Sequence, residues 1–291
     1  MAKAVIPTLN ICSLTNKPTA PNLFMASTFS AYLARHTNLH FPHKHSFYHL
    51  VYFAKGSGTH HIDFVNFTIA HGDIYFMVPG QVHTWSFSKQ PDGFIINFSE
   101  EFINKLIANP RYLESFSFFT GIAAQQVINI SKKIRPLITT LFEDILLEAQ
   151  QDKPFAEDVI RTKMLQLFIQ VQRQATPAST PADNYNNTVL YNFKKLIDDN
   201  YKTKKLTKHY AAMLYVTPNH LNALCKHATG RPAGEIIRER VLLEAKRLLV
   251  NANFSIAEIA AELDFSDNSY FGKFFKKYTG LTPETFRKQN I

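Results

Sequence analysis

The sequence predicts a two-domain protein with an antiparallel β-barrel and a helical pair at the N-terminus and an all-α double helix-turn-helix at the C-terminus. Three observations carry this. Between His40 and Phe98, short aromatic and β-branched runs alternate with turn signals at even spacing, the pattern of an antiparallel sandwich or barrel. From Leu206 onward, a helix-turn-helix pattern recurs at an offset of 49 to 50 residues. Between the two regions, ATPASTPADNYNN at 175–187 carries Pro177 and Pro181 among small polar residues and shows no apolar periodicity, which reads as a linker. The expected division is therefore 1–174, a linker at 175–187, and 188–291.

At 291 residues and 45% hydrophobic, the chain can bury a large core and favours two domains over one. It contains no run of about eighteen apolar residues, and its first residues are polar and interrupted by Pro7. A soluble, cytoplasmic protein without a membrane span is expected. Cys12 and Cys225 lie in different expected domains, which suits a reducing compartment better than a disulfide framework. The net charge of +9 is uneven: residues 188–291 hold 17 Lys and Arg against 10 Asp and Glu, whereas residues 1–187 hold 15 against 13. A basic module on a nearly balanced body is the electrostatic footprint of a nucleic-acid binder, although charge alone fits an anionic membrane surface equally well.

Taken in order, the lead-in to residue 40 is irregular, with one strand near Phe24 to Leu33. Strands follow at Tyr48 to Phe53, His61 to Phe67, Ile74 to Val78, Thr84 to Phe87 and Phe94 to Phe98. They are separated by Gly56-Ser57-Gly58, His71-Gly72-Asp73, Pro79-Gly80 and Pro91-Asp92-Gly93. Nine of the twelve histidines fall between His36 and His83, so a metal site must be weighed. His43 and His45 lie two apart on one strand face, His49 follows four residues on, and His83 follows Pro79-Gly80-Gln81-Val82. This arrangement resembles the two cupin signatures, a His-x-His pair with a later acidic residue and a Pro-x-Gly-x-x-His. The chain departs from them in having Gly directly after Pro, and His49 stands where the family places its carboxylate. Ligand identity and spacing define a metal site, not histidine abundance. The histidines are therefore expected to be ordinary polar groups at a barrel mouth, with no bound metal; a metal, if present, would use His43, His45 and His83. A small-molecule pocket in the barrel is expected among His43, His45, His49, Tyr52, His83 and Trp85, since small-molecule sites are concave, mostly apolar and carry few polar groups.

After Phe98 the pattern turns helical. Glu100 to Asn109 forms a short helix ended by Pro110, and Arg111 to Ala124 covers one end of the barrel. Arg135-Pro136 opens a helix with a stripe of Leu137, Ile138, Leu141, Ile145 and Leu146, Pro sitting in the tolerated first turn. A partner helix buries Ile160, Met164, Leu167, Phe168 and Val171, with a break at Asp152-Lys153-Pro154. These stripes suit packing on the barrel or a dimer interface.

The C-terminal module opens with a helix at Val189 to Asn200. Leu206, Tyr210, Ala211 and Leu214 then mark a first helix, Tyr215-Val216 a turn, and Thr217 an N-cap followed by Pro218, with Leu221, Leu224 and Cys225 as the next apolar face. The second copy starts on a capping box of Ser255 and Glu258 and carries Ile256, Ile259, Ala260 and Leu263. Asp264 then tolerates a left-handed turn, Ser266 or Asp267 caps the next helix, and Phe271, Phe274 and Phe275 form its buried face. Ala211, Val216 and Thr217 pair with Ala260, Phe265 and Ser266 at offset 49, and Leu221, Leu224, Lys226 and Gly230 pair with Phe271, Phe274, Lys276 and Gly280 at offset 50. The helix between the copies runs from Pro232 to Val250, roughly 27 Å at 1.5 Å per residue, the order of the 34 to 36 Å between successive major grooves on one face of B-DNA.

Residues 188–291 resemble the two-helix-turn-helix DNA-binding domain of the AraC/XylS family of bacterial transcription regulators. The resemblance rests most on Ile256-Ala257-Glu258-Ile259-Ala260 through Phe265, Tyr270-Phe271, Phe274-Phe275-Lys276-Lys277, Gly280 and Pro283. It implies base contacts from Asn219, His220 and Asn222 in the first unit and from Asn268, Ser269 and Lys273 in the second. Asn can bond adenine bidentately and Lys can donate to guanine. Lys226, Lys276, Lys277 and Arg287 would hold phosphates. The family often has Arg where this chain has Ala223, so the first helix would specify fewer bases. The resemblance further implies a homodimeric activator that binds double-stranded promoter DNA, engages RNA polymerase and answers to a small-molecule effector in a cupin-like barrel. It implies no catalysis. The competing reading is a metal-dependent cupin enzyme fused to a DNA-binding module.

Overall fold

The structure is a computed structural model that describes residues 6–15, 23–36, 41–107, 109, 112–119, 121, 123–151, 153–175, 181–250 and 254–290. The chain divides into two compact units, residues 7–178 and residues 179–291.

The first unit is sheet-rich. Its strands are β1 (Thr8–Leu9), β2 (Phe24–Thr28), β3 (His43–His45), β4 (Tyr48–Ile62), β5 (Val65–Thr68), β6 (Asp73–Met77), β7 (Val82–Phe98) and β8 (Val127–Asn129). They form one sheet in the order β1-β3-β7-β4-β6-β8, with β2 on β7 and β5 on β4. The expected barrel is cupin-like in content but does not close among the described residues, since β1 and β8, at the two ends of the path, do not pair with each other. All pairs are antiparallel except β1 with β3.

The expected short strands prove to be parts of two long ones. β4 and β7 pair from Tyr48↔Phe98 to Ile62↔His83, across register shifts between Phe53 and Gly58. The turn signals at Gly56-Ser57-Gly58 and Pro91-Asp92-Gly93 therefore mark bulges within strands, where an extra residue bends the ladder without ending it. Gly93 is required there: it has φ 142° and a Cβ would lie 1.9 Å from the Tyr52 carbonyl oxygen. The segment expected as a strand at His61 to Phe67 is a tight hairpin between β4 and β5, with Asp63 at φ 53°. Past Thr28 the expected early strand becomes a helix, α1 (Phe29–Arg35), capped by the Thr28 hydroxyl.

Side chains alternate across a strand, so β4 feeds two cores. Leu50 and Tyr52 join Phe76, Ile96 and Phe98 beneath α3 (Arg135–Ala149) and α4 (Ala156–Ala175). Val51 and Phe53 join Phe29, Tyr32, Tyr75, Trp85 and Ile95 on the opposite face. The α4 stripe is buried as expected from its spacing. In α3, Phe142 is buried and Leu137 is exposed, which shifts the expected stripe by part of a turn. The expected helix at Glu100 to Asn109 stops after α2 (Glu100–Asn104), and short 3-10 turns follow from Tyr112 to Gln125; Pro110 and Arg111 lie outside the described residues.

The second unit is all helical: α5 (Pro181–Asn200), α6 (Thr207–Met213), α7 (Pro218–Thr229), α8 (Ala233–Val250), α9 (Ile256–Glu262), α10 (Asn268–Thr279) and α11 (Pro283–Asn290). The expected linker is shorter than 175–187. α4 reaches Ala175 and α5 starts at Pro181, where proline suits a first helical turn, and residues 176–180 lie outside the described residues. Leu206, expected within the first helix of this unit, is instead the N-cap of α6 and is half exposed. No described helix is long and apolar enough to cross a membrane. Both cysteines are free thiols.

Candidate functional site

The sequence repeat is a repeat of hydrogen bonds. In the first copy, Tyr215 turns with φ 56°, its N–H donates to Ala212 O, and Val216 N–H donates to Ala211 O at 3.0 Å. In the second, Asp264 turns with φ 52°, its N–H donates to Ala261 O, and Phe265 N–H donates to Ala260 O at 2.9 Å. α7 starts on the Thr217 hydroxyl, which accepts from His220 N–H, and α10 on the Asp267 carboxylate, which accepts from Tyr270 N–H. Each helix ends on a left-handed glycine, Gly230 or Gly280. Before each glycine, Thr229 or Thr279 bonds back to the carbonyl four residues earlier at 2.8 Å. The cap aligned with Thr217 is thus Asp267, not Ser266. Ser266 is the extra turn residue that moves the offset from 49 to 50.

With one face of each helix buried by Leu221, Leu224 and Cys225, or by Phe271 and Phe275, the opposite face is left to solvent. Phe274, expected with the buried pair, is only half-buried. Asn219 and His220 on α7, and Asn268, Ser269 and Lys273 on α10, are exposed as a base-reading face requires, and so are Lys226, Lys276 and Lys277. Tyr270 was missed: it is 56% exposed and occupies the α10 position that His220 holds in α7. The offset of 50 could have found it.

Two residues expected to touch DNA are instead committed within the fold. Asn222 is half-buried, and its Oδ1 accepts the Ala233 N–H at 3.0 Å, tying α7 to the first turn of α8. Arg287 donates from Nε to Leu249 O at 3.0 Å and from Nη2 to Phe254 O at 2.6 Å, so it satisfies the end of α8 and the following loop. Helix ends leave such carbonyls without intrahelical partners, and a guanidinium fork suits them.

In the sheet-rich unit the expected pocket residues separate. Tyr52 stacks on Phe94 and Phe142 on the helix-covered face, with its hydroxyl 3.3 Å from Thr139 Oγ1, because it lies one residue out of phase with Val51 and Phe53. Trp85 packs edge-on to Phe29 and His83. His43, His45, His49 and His83 come together, joined by His60, which sequence reasoning did not single out. All five are essentially buried, not at a solvated mouth. His60 lies eleven residues beyond His49 on the same strand, past the Gly56-Ser57-Gly58 turn signal, so sequence spacing does not group it with the others.

The cluster is tightly connected. His43 is the cross-strand partner of His83, and its Nδ1 lies 2.9 Å from Phe41 O. His49 Nδ1 lies 2.6 Å from Asn97 Oδ1, His60 Nε2 lies 3.1 Å from His83 Nδ1, and His83 Nε2 lies 3.5 Å from His45 Nε2. Burial disfavours the charged imidazolium. It holds His45, His60 and His83 well below the usual histidine range, lowers His43, and pulls His49 down to about 3. Burial thus favours the neutral form of all five rings. The ligand atoms of His43, His45 and His83 lie within 4.8 Å of one another.

Comparison with known proteins matches both units. Residues 28–168 match the family model described as "AraC-like ligand binding domain", and residues 210–289 match "Helix-turn-helix domain". The chain is 37% identical over 117 residues to the uncharacterized transcriptional regulatory protein YesN of Bacillus subtilis, covering 38% of this chain and 32% of that protein. It is 20% identical over 252 residues to the HTH-type transcriptional activator RhaR of Cronobacter sakazakii, covering 87% of this chain and 88% of that protein. A crystal structure of ToxT from Vibrio cholerae aligns with TM-score 0.45 at 12% identity, over 92% of this chain and 98% of that one.

Proposed function

We propose, from the premise that this chain belongs to the AraC family of transcription regulators, that α7 and α10 enter two successive major grooves of promoter DNA and that a ligand in the sheet-rich unit governs this binding. The family assigns a helix-turn-helix DNA-binding domain and a ligand-binding domain; the two-groove docking and the named contacts are our reading. The observation that carries it is the exposure of matching polar faces on α7 and α10, each set by the same turn and cap.

In this reading Asn219 and His220 read bases from α7, while Asn268, Ser269, Tyr270 and Lys273 read them from α10. Lys226, Lys276 and Lys277 hold phosphates, and Asn222 and Arg287 position the helices. The chain acts in the cytoplasm as an activator that contacts RNA polymerase; the activator part of this reading is supported by the RhaR relative, which is named a transcriptional activator. It is a homodimer, a reading supported by the exposed Leu137, Leu147 and Val159 on the outer side of α3 and α4. It binds and does not turn over a substrate, in keeping with its family.

Mapping the DNA bound by the full chain in cells, with and without a panel of metabolites, tests this. Discrete upstream sites whose occupancy changes with at least one metabolite are expected. Binding spread evenly over the genome would contradict it, and fixed occupancy under every metabolite would remove the ligand control.

A further inference from the structure

We propose that Lys205 is a positioning residue that locks the two helix-turn-helix copies at one separation and one rotation, so that the chain accepts only DNA sites whose two elements stand a fixed number of base pairs apart. The proposal rests on the reading that α7 and α10 enter successive grooves.

The first argument is connection. α8 joins the copies and its 18 residues set a length, but a single helix does not by itself fix the rotation of what lies beyond its end. Arg287 supplies one restraint there, holding α11 to Leu249 O and Phe254 O. A second restraint reaches the second copy from the first. Lys205 lies just ahead of α6; its Nζ donates to Asp264 O at 3.0 Å and stands 4.8 Å from the centroid of the Phe265 ring. Asp264 and Phe265 form the turn between α9 and α10.

The clasp is anchored at both ends. On the side of the first copy, the buried Tyr210 of α6 donates its hydroxyl to Lys204 O at 2.6 Å, and Lys205 Nζ also donates to Lys202 O. On the side of the second, Phe265 is buried, and its ring packs 5.2 Å from Phe271 and 5.1 Å from Phe274 of α10. α6 therefore reaches α10 through Tyr210, Lys204, Lys205 and Phe265. Lys202 adds an ion pair with Glu262 at the end of α9, but so exposed a pair contributes little.

The second argument is the chemistry of the lysine. An ammonium carries three donors and no acceptor, and here two carbonyls and an aromatic face, which attracts a cation, take them up. Lys205 is half-buried in this way, whereas Lys226, Lys276 and Lys277 are exposed. The clasp is also no part of the repeat. At the offset of 49, Tyr215 and Val216 stand where the second copy has Asp264 and Phe265; Tyr215 is almost fully exposed, and valine has no ring to offer. A contact made at one turn only suits a role between the copies and not within each.

Spacing is the property such a clasp controls. Each base pair added or removed moves one element by about 3.4 Å along the duplex and turns it by about 35°. A locked pair of helices cannot follow that change; a pair free to rotate can.

The full-length chain is titrated against duplexes carrying the two elements it selects from a random library, with the selected spacer and with one base pair added or removed. The unsubstituted chain should bind the selected spacer about tenfold more tightly than either altered one. Lys205→Met keeps the stem and removes the donors; it should bring the three duplexes within about twofold of one another, with base preference inside each element and the salt slope unchanged. Lys205→Arg should restore the discrimination. If Lys205→Met weakens all three duplexes alike and the salt slope falls by about one, Lys205 is a phosphate contact and the proposal is overturned. Discrimination that survives Lys205→Met overturns it too, even where thermal unfolding shows a less stable chain. Should Lys205→Met fail to fold, Phe265→Leu removes the ring face beneath the ammonium and is read the same way. An unsubstituted chain that selects no two-element motif defeats the docking reading and the spacing device with it, whereas a two-element motif bound equally at every spacing overturns the clasp alone.

Discussion

Lys273 and Lys276 are both exposed one turn apart on α10, yet they are assigned different work. Lys273→Ala should relax preference at one position of the DNA site by about 1 to 3 kcal/mol. Lys276→Ala should weaken every sequence alike and reduce the salt slope by about one. Anisotropy titrations against matched and random duplexes at several salt concentrations separate the two; an equal loss on both duplexes for Lys273→Ala would refute its assignment. For Asn222→Ala the expectation is structural. Removing the acceptor of the buried Ala233 N–H should cost about 1 to 2 kcal/mol in denaturant unfolding and leave base preference intact. A selective loss at one base position would restore Asn222 as a reader. The sequence displays residue types but not their partners. The exposure of Lys273 follows from helical spacing alone, whereas Asn222 and Arg287 bond backbone groups 11 and 33 to 38 residues away, which no local pattern displays.

At the scale of elements, the helix-turn-helix units were legible because their signals are local: caps, a left-handed turn, a closing glycine. Tyr215 is the exception in chemistry, a 96% exposed aromatic residue at φ 56°. A left-handed residue with a Cβ costs roughly 1 to 2 kcal/mol, and glycine returns about 0.5 to 1 of that as chain entropy. Tyr215→Gly should therefore stabilise the chain by about 0.5 to 1 kcal/mol. Gly280→Ala should cost about 1 to 2 kcal/mol, with conformational strain the sole cause, since a Cβ there meets nothing within 4 Å. Thermal unfolding of the two variants checks both signs; a stable Gly280→Ala chain would mean that the α10 cap adopts another conformation. The strands were less legible because bulges and turns use the same residues. Only the pairing of β4 with β7 shows that Gly58 and Gly93 lie within strands. The same continuity brings His60 to His83, a meeting that no spacing rule predicts.

For the molecule as a whole, the two-domain division follows from composition and charge, which vary over long stretches and need no tertiary knowledge. What fills the sheet-rich unit was not legible, because whether a histidine is solvated at a rim or buried among four others depends on how the sheet bends. The DNA-reading claim rests on the helical unit. The excess of seven positive charges over residues 188–291 supplies affinity without sequence information, and the 18-residue α8 between the copies spans about 27 Å. Selection of the full chain on a random duplex library tests the claim most directly. The account predicts a bipartite motif whose two elements lie one helical turn, about 10 base pairs, apart, with Lys273→Ala losing information in one element only. A single undivided element, or no enrichment over random duplex, would contradict it.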